Sequence, residues 1–291
     1  MHAPVSAMLP DGERLHLQHG PIDLIIAVNG RTPQASFRAF EAAQLRFEAI
    51  LEELVEELPF LRSPAKPCNQ LPQGLVARRM DAVAKEHAFP GVFITPMAAV
   101  AGAVADEILD EMLSSGPLDR AYVNNGGDIS LHLADGNEFN IMLAGLNGAD
   151  LGRVEINSAT PVRGLATSGQ GGRSLSLGIA DSVTVLAKTA AAADVAATLI
   201  ANAIDLPDHP AIVREKACEI DPDSDLEGRL VVIECGMLHA QEIDDALNRG
   251  VRAAERMLSQ GLIWAAALFL KSESRVIGPH ARIELIANKE H

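Results

Sequence analysis

Aromatic residues are scarce in this chain. Of 291 residues, eight are Phe, one is Trp and one is Tyr. A core cannot be built on rings, so it has to come from Ala, Val, Leu and Ile, and the apolar share is still 48%. The shortage also leaves little stacking surface for a flat ring ligand. Positive charge is short too, with 24 Lys and Arg against 39 Asp and Glu, a net charge of −15. That field repels a phosphate backbone or an anionic membrane surface, so nucleic acid and membrane are excluded as partner classes. A phosphate-bearing small molecule has to be neutralised locally, by backbone N–H groups, a metal or a specific Arg. Cysteine is limited to Cys68, Cys218 and Cys235. An odd number at wide spacing excludes a disulfide framework and a zinc site, and fits a reducing cytoplasm. No hydrophobic run is long enough to span a bilayer; the most apolar one, Leu262 to Leu270, reads as a buried strand. The first twenty residues have neither a basic start nor an apolar stretch, so they do not read as a signal peptide. There is no P-loop and no convincing G-x-G-x-x-G.

The pattern that is present mixes strands and helices with few strict βαβ alternations, which predicts an α+β fold with mixed or antiparallel sheets. Residues 13–18 and 22–28, separated by His19-Gly20-Pro21, read as a hairpin. Thr32 and Pro33 open a long helix, with an apolar stripe at Phe37, Phe40, Phe47, Ile50, Leu54 and Leu58. A short helix is expected over 72–88, and another from Thr95-Pro96 to Gly116. Strand signals fall at 120–123, 129–133, 138–143, 153–156 and 182–187. An Ala-rich helix follows over 190–204, then a strand at 230–234, a helix over 239–259, and closing strands at 262–270 and 282–287. The closing strands fit a core or a dimer face, so a homo-oligomer is possible. The acidic stretch 219–227 lacks the Gly and the bidentate Glu of a calcium loop and reads as a solvated turn. The whole chain, 1–291, is expected to form one domain, with its motif-bearing core over 90–205.

Four segments carry chemical potential. Asn124-Asn125-Gly126-Gly127-Asp128 has two glycines that let a ligand approach the backbone and a carboxylate that can accept from a ribose or a ring N–H. It is equally a hairpin turn. Gly164 to Ser174 contains Thr167, Ser168 and Gly169, then further glycines and Arg173. Exposed N–H groups of such a turn make an anion nest, and Arg173 can fork onto phosphate; a plain surface loop is the alternative. Asp194 and Thr198 are four apart on the Ala-rich helix, so both oxygens share one face and suit a hard cation such as Mg²⁺. A helix-dipole Asp with a back-bonded Thr has the same spacing. The small-residue helix start from Met97 to Ala103 admits close approach of a ring or of another helix.

In this order the segments resemble the ApbE superfamily of FAD:protein FMN transferases. The matches are Ala98–Asp106, Asn125–Ile129, Ala166–Gly169, Val183–Val185 and Ala193–Thr198. The run from Gly172 to Val185 looks closer still to an uncharacterised prokaryotic branch of that superfamily. The resemblance implies an ApbE-like fold, a bound FAD or related flavin, and Mg²⁺ at its pyrophosphate. It implies Asp194, Thr198 and the Ala101 carbonyl as the metal set. Asn125, Gly126, Gly127, Asp128, Thr167, Ser168, Gly169 and Arg173 would contact the cofactor. The family's His-x-Ile-Asp-Pro segment is replaced by Arg173-Ser174-Leu175-Ser176-Leu177, and its Lys-Gly pair by Gly102-Ala103. No catalytic residue is assigned, because a general base is missing from the matching segment. His132 and His87 stand elsewhere, and each is explained as an ordinary strand or surface histidine. The implied function is a Mg-dependent flavin- or dinucleotide-binding protein with altered or lost transferase chemistry. The alternative is a flavin or metabolite binder without turnover. Asp194→Ala is expected to abolish Mg²⁺-dependent ligand binding while leaving folding largely intact.

Overall fold

The structure, a computed structural model, describes residues 3–66, 71–144, 150–172, 174–279 and 283–285. The elements in chain order begin with β1 (Val5–Met8), β2 (Arg14–His19), β3 (Ile22–Gly30), α1 (Pro33–Glu56), α2 (Leu58–Leu61) and α3 (Leu75–Glu86). A 3-10 turn, Pro96–Ala99, leads into α4 (Val100–Ser114). Then come β4 (Leu118–Asn125), β5 (Asp128–Leu133), β6 (Glu138–Ala144), β7 (Asp150–Asn157), β8 (Gly164–Ser168) and β9 (Ser182–Ala187). The rest is α5 (Ala190–Ala203), β10 (Ile212–Lys216), α6 (Ala217–Ile220), β11 (Leu230–Cys235), α7 (Ala240–Ser259), β12 (Ala265–Leu270), β13 (Glu273–Ile277) and β14 (Ile283–Leu285). The chain is α+β, and its strand pairs are antiparallel wherever their register is defined.

By internal contacts the chain divides into two compact units. The first comprises Met1–Glu138, Asn157–Ala166 and Ala187–Val195; the second holds the rest. In the first unit the strands run in the order β1-β2-β3-β4-β5-β8. Leu15 and Leu17 of β2 and Leu24 and Ile26 of β3 alternate inward and are fully buried, as a one-sided sheet requires. Helix α1 starts as its sequence predicts: Thr32 Oγ1 accepts from the Ala35 N–H at 3.2 Å, and Pro33 occupies the first turn.

The apolar stripe of α1 differs from expectation in its first half. Ala35, Ala39 and Ala43 are buried together with Phe47, Ile50 and Leu54, whereas Phe37 is exposed. Helix α1 packs against α4. Two helices approaching closely need small side chains at the contact, so alanine takes the inner face and the ring turns outward. Helix α4 itself is buried on nearly every side from Gly102 to Leu109, Asp106 and Glu107 included, which is possible because both carboxylates are hydrogen-bonded.

The second unit contains β9-β12-β13, the pair β10-β11, and β14-β7-β6. Every residue of β9 and β12 is buried, so β12, the strand expected from Leu262–Leu270, is core. Helix α7 packs on β12 and β13. The acidic stretch 219–227 is a turn: Asp221 caps its own loop by accepting from the Asp223 N–H at 3.0 Å. Strands β1, β8, β10 and β13 were not foreseen. The first three are short, and β13 reads as a polar segment between two closing strands. Among the described residues no helix is long and apolar enough to cross a membrane.

Candidate functional site

The Asn-Asn-Gly-Gly-Asp segment is a two-residue hairpin between β4 and β5, with Asn125 opposite Asp128. Gly126 and Gly127 take φ values of 67° and 114°, which side chains disfavour and which such a turn demands. Asn124 Oδ1 accepts from the Gly127 N–H at 2.8 Å and locks the turn. A Cβ built on Gly127 meets nothing within 4 Å, so the outer side of the turn is open. The turn sets Asp128 at the first position of β5. Asn125 is buried, and its Nδ2 donates to the Ala101 carbonyl at 3.1 Å. That bond ties the hairpin to the start of α4.

Helices α4 and α5 meet at their N-terminal turns. The Gly102 N–H donates to Asp194 Oδ2 at 3.0 Å, and the Ala101 N–H adds a second bond to the same carboxylate. In return, Asp106 of α4 accepts from the Ala190 and Ala191 N–H groups of α5, each at 3.0 Å. Thr189 Oγ1 takes the Ala192 N–H at 3.2 Å. The first amides of both helices are therefore satisfied internally. The approach is close enough to require glycine: a Cβ on Gly102 would lie 2.4 Å from the Ala190 carbonyl oxygen, and one on Gly164 would lie 2.0 Å from the Thr189 carbonyl carbon. Of the two uses open to the small-residue helix start, the structure places another helix against it.

The electrostatics follow from this packing. Asp194 keeps part of its surface open, but its carboxyl is enclosed deeply enough that burial pushes its pKa well above the ordinary 3.8. The negative charge of Asp128 is the next cause, and the Gly102 and Ala101 amides oppose the rise. Asp106 is also raised, by burial first, while Ser130, the Ala191 and Ala190 amides and the Arg79 charge pull it back. Ser130 Oγ donates to Asp106 Oδ1 at 2.6 Å. Arg79 belongs to a partly exposed network in which its guanidinium bonds Asp110 at 2.7 Å and Arg46 bonds the buried Glu107 at 2.8 Å.

The sequence-selected residues thus fall into two sets. Asn125, Gly126, Gly127, Asp128, Ala101 and Asp194 gather in the first unit. Thr198 lies one turn beyond Asp194 on α5, in the part of that helix assigned to the second unit. Thr167 and Ser168 end β8, Gly169 follows it, and all three are described within the second unit. There the Thr167 and Thr184 hydroxyls bond each other at 2.9 Å. The Gln170, Gly171 and Gly172 N–H groups donate to the carbonyls of Ala180, Asp181 and Gly169. Two of those amides tie the turn to the segment before β9 and the third closes it on itself, so an anion nest here does not draw on them. Arg173 lies outside the described residues.

The two histidines have structural partners. The His132 ring bonds the Leu118 carbonyl at 3.1 Å, and the His87 ring bonds the Val83 carbonyl at 2.9 Å. Asp106 and Ser130 were missed as site residues. The available signal was a carboxylate directly after the small apolar run that opens α4, which burial obliges to find partners. Among the described residues no group of three His, Cys, Asp or Glu side chains gathers as a metal site. What the first unit offers is two carboxylates whose charges interact, Asp128 and Asp194, and the Ala101 carbonyl that Asn125 bonds, oxygen groups of the kind hard divalent cations accept.

A family model described as "AbpE bacteria" matches residues 6–276. A UPF0280 protein of Methanothrix thermoacetophila is 31% identical over 199 residues, which are 67% of this chain and 81% of the relative. A UPF0280 protein of Methanocaldococcus jannaschii is 30% identical over 207 residues, 68% of this chain and 79% of the relative. Among solved structures, the apo flavinyl transferase ApbE of Pseudomonas stutzeri aligns over 96% of this chain and 94% of its own, with 12% identity and a TM-score of 0.48.

Proposed function

The chain belongs to the AbpE bacteria family, and from that premise we propose that Asp128 and Asp194 hold a divalent cation, Mg²⁺, together with the phosphates of a flavin or related dinucleotide. The observation that carries the reading is the placement of the two carboxylates: Asp194 is bonded to the Gly102 N–H of α4, the hairpin that holds Asp128 is tied to the same helix start through Asn125 and Ala101, and the two charges are near enough to interact. Two neighbouring carboxylates repel, and a proton or a cation relieves that repulsion. The Ala101 carbonyl accepts from Asn125 Nδ2 and, as the second residue of α4, from the next turn of its own helix, so it would join the cation only by giving up one of these partners. Thr198, one turn along α5, supplies the hydroxyl of the Asp-x-x-x-Thr motif. When bound, Mg²⁺ would neutralise the carboxylates and polarise the pyrophosphate.

The cofactor class comes from the resemblance of the Gly126-Gly127-Asp128, Thr167-Ser168-Gly169 and Asp194-to-Thr198 segments to FAD:protein FMN transferases. The transfer chemistry is altered or lost. Flavinylation of a hydroxyl needs a group to take its proton, and the segment after the Thr-Ser-Gly turn reads Arg-Ser-Leu-Ser-Leu, without His. The internal partners of His132 and His87 leave neither as a replacement. The same absence favours a second reading, a flavin or metabolite binder that does not turn over. Incubating the protein with FAD and Mg²⁺ separates the two. AMP release marks an enzyme; FAD bound at stoichiometry with no AMP above buffer marks a binder. Failure to bind any flavin with Mg²⁺ present refutes both.

A further inference from the structure

Asp106 accepts three hydrogen bonds inside the first unit, and only two of them serve a helix end. Its bonds to the Ala190 and Ala191 N–H groups cap α5, beside the Thr189 bond that already supplies the usual cap at Ala192. The third, from Ser130 Oγ at 2.6 Å, comes from a strand. Ser130 is two residues from Asp128 on β5, so the two side chains leave the same face of that strand. Ala190 is one turn before Asp194 on α5, and Gly102 is one turn before Asp106 on α4. The contacts close a ring: Asp128 and Ser130 on β5, then Asp106, Ala190, Asp194 and Gly102, and back along α4 to Asp106. A plain cap has no use for the strand. Ser130 is buried and Asp106 is nearly so, so this ring is held away from competing water and each bond in it is expensive to leave unmade.

We propose that Asp106 and Ser130 are positioning residues that fix the approach of Asp194 to Asp128. The inference rests on the reading that this pair is the cation site, and deepens it by naming what holds the two carboxylates in place. Neither residue touches the cation. They act through the backbone of β5 and the first turn of α5, as outer partners orient metal ligands elsewhere.

Two measurements on the full chain test this, with Mg²⁺ alone as the probe. Calorimetric titration should show that Ser130→Ala and Asp106→Asn each weaken Mg²⁺ by about 10- to 100-fold, the usual effect of losing such a partner. Ser130→Thr, which keeps the hydroxyl, should restore parental affinity; a residue needed only for packing would not show that recovery. Amide hydrogen exchange, read by NMR without metal, should speed up at Gly102 in both variants, because that amide reports the Asp194 bond. Exchange that rises at Ala190 and Ala191 while Gly102 keeps its parental rate would reduce Asp106 to a local cap and overturn the proposal. If the parent itself binds no Mg²⁺ at millimolar concentration but Gly102 exchange still responds, the cation assignment falls and the positioning link stands. Should Asp106→Asn fail to fold, the Ser130 pair of variants still decides the matter.

Discussion

Asp106 and Asp194 each cap the helix that carries the other. Asp194 of α5 accepts from the Gly102 N–H of α4, and Asp106 of α4 accepts from the Ala190 N–H of α5. In both helices the capped residue precedes the capping one by four positions. Two positive helix ends thus face one another, each neutralised by the carboxylate of its neighbour.

This exchange changes the expectation for Asp194→Ala. The substitution removes the acceptor of at least one buried amide, so it costs about 1–3 kcal/mol of stability in addition to the ligand site. Asp194→Asn keeps an acceptor oxygen and removes the charge. Urea unfolding should therefore place Asn close to the parent and Ala clearly below it. Equal midpoints for Ala and the parent would mean that the Gly102–Asp194 bond contributes nothing.

Gly102→Ala tests the helix contact without touching a charge. The new methyl group would sit 2.4 Å from the Ala190 oxygen, and backbone on both sides has to move. The overpacking should cost about 1–3 kcal/mol or more, seen as a lower melting temperature. Gly127→Ala meets no neighbour, so only the strain of its positive φ should register, at about 1 kcal/mol.

Asp194 and Asp106 both have folded pKa values above the ordinary 3.8. The native state therefore holds these protons more tightly than the unfolded chain does. Metal-free stability should fall as pH rises from the ordinary carboxylate value through the raised ones. Asp194→Asn should flatten part of that slope, leaving the share of Asp106. Chemical denaturation at a series of pH values checks the sign.

His87 is fully buried, its Nε2 has no partner among the described residues, and burial lowers its pKa below 6.5. Here the unfolded chain binds the proton more readily. The stability this neutral ring contributes should be complete above the ordinary histidine value and be lost as pH falls through its lowered one. His87→Phe should remove that acid-side slope, measured by thermal melting between weakly acidic and neutral pH.

Much of the architecture was legible because it rests on periodicity and punctuation. Thr32-Pro33 fixed the start of α1, and the alternation in 13–18 and 22–28 fixed the first hairpin. The stripe of α1 was misread because hydrophobic size was taken as the guide, while the close α1–α4 contact selects alanine. Strand β8 was hidden by its own chemistry: Gly164 is needed for closeness to Thr189, and the glycines that follow made the whole stretch look like a loop. That Asp128 and Asp194 come near enough for their charges to interact agrees with the order of the motifs. The part played by Asp106 was not legible, because a carboxylate among the four of α4 announces a partner without naming it.

The most direct measurement is a calorimetric titration of Mg²⁺ into the parent and into Asp194→Asn, at mildly acidic and at weakly alkaline pH. Proton and cation compete for the same carboxylate, so the parent should bind more tightly at the higher pH, and Asp194→Asn should bind at neither. Parental binding by the Asn variant, or binding indifferent to pH, would contradict a cation held between Asp128 and Asp194.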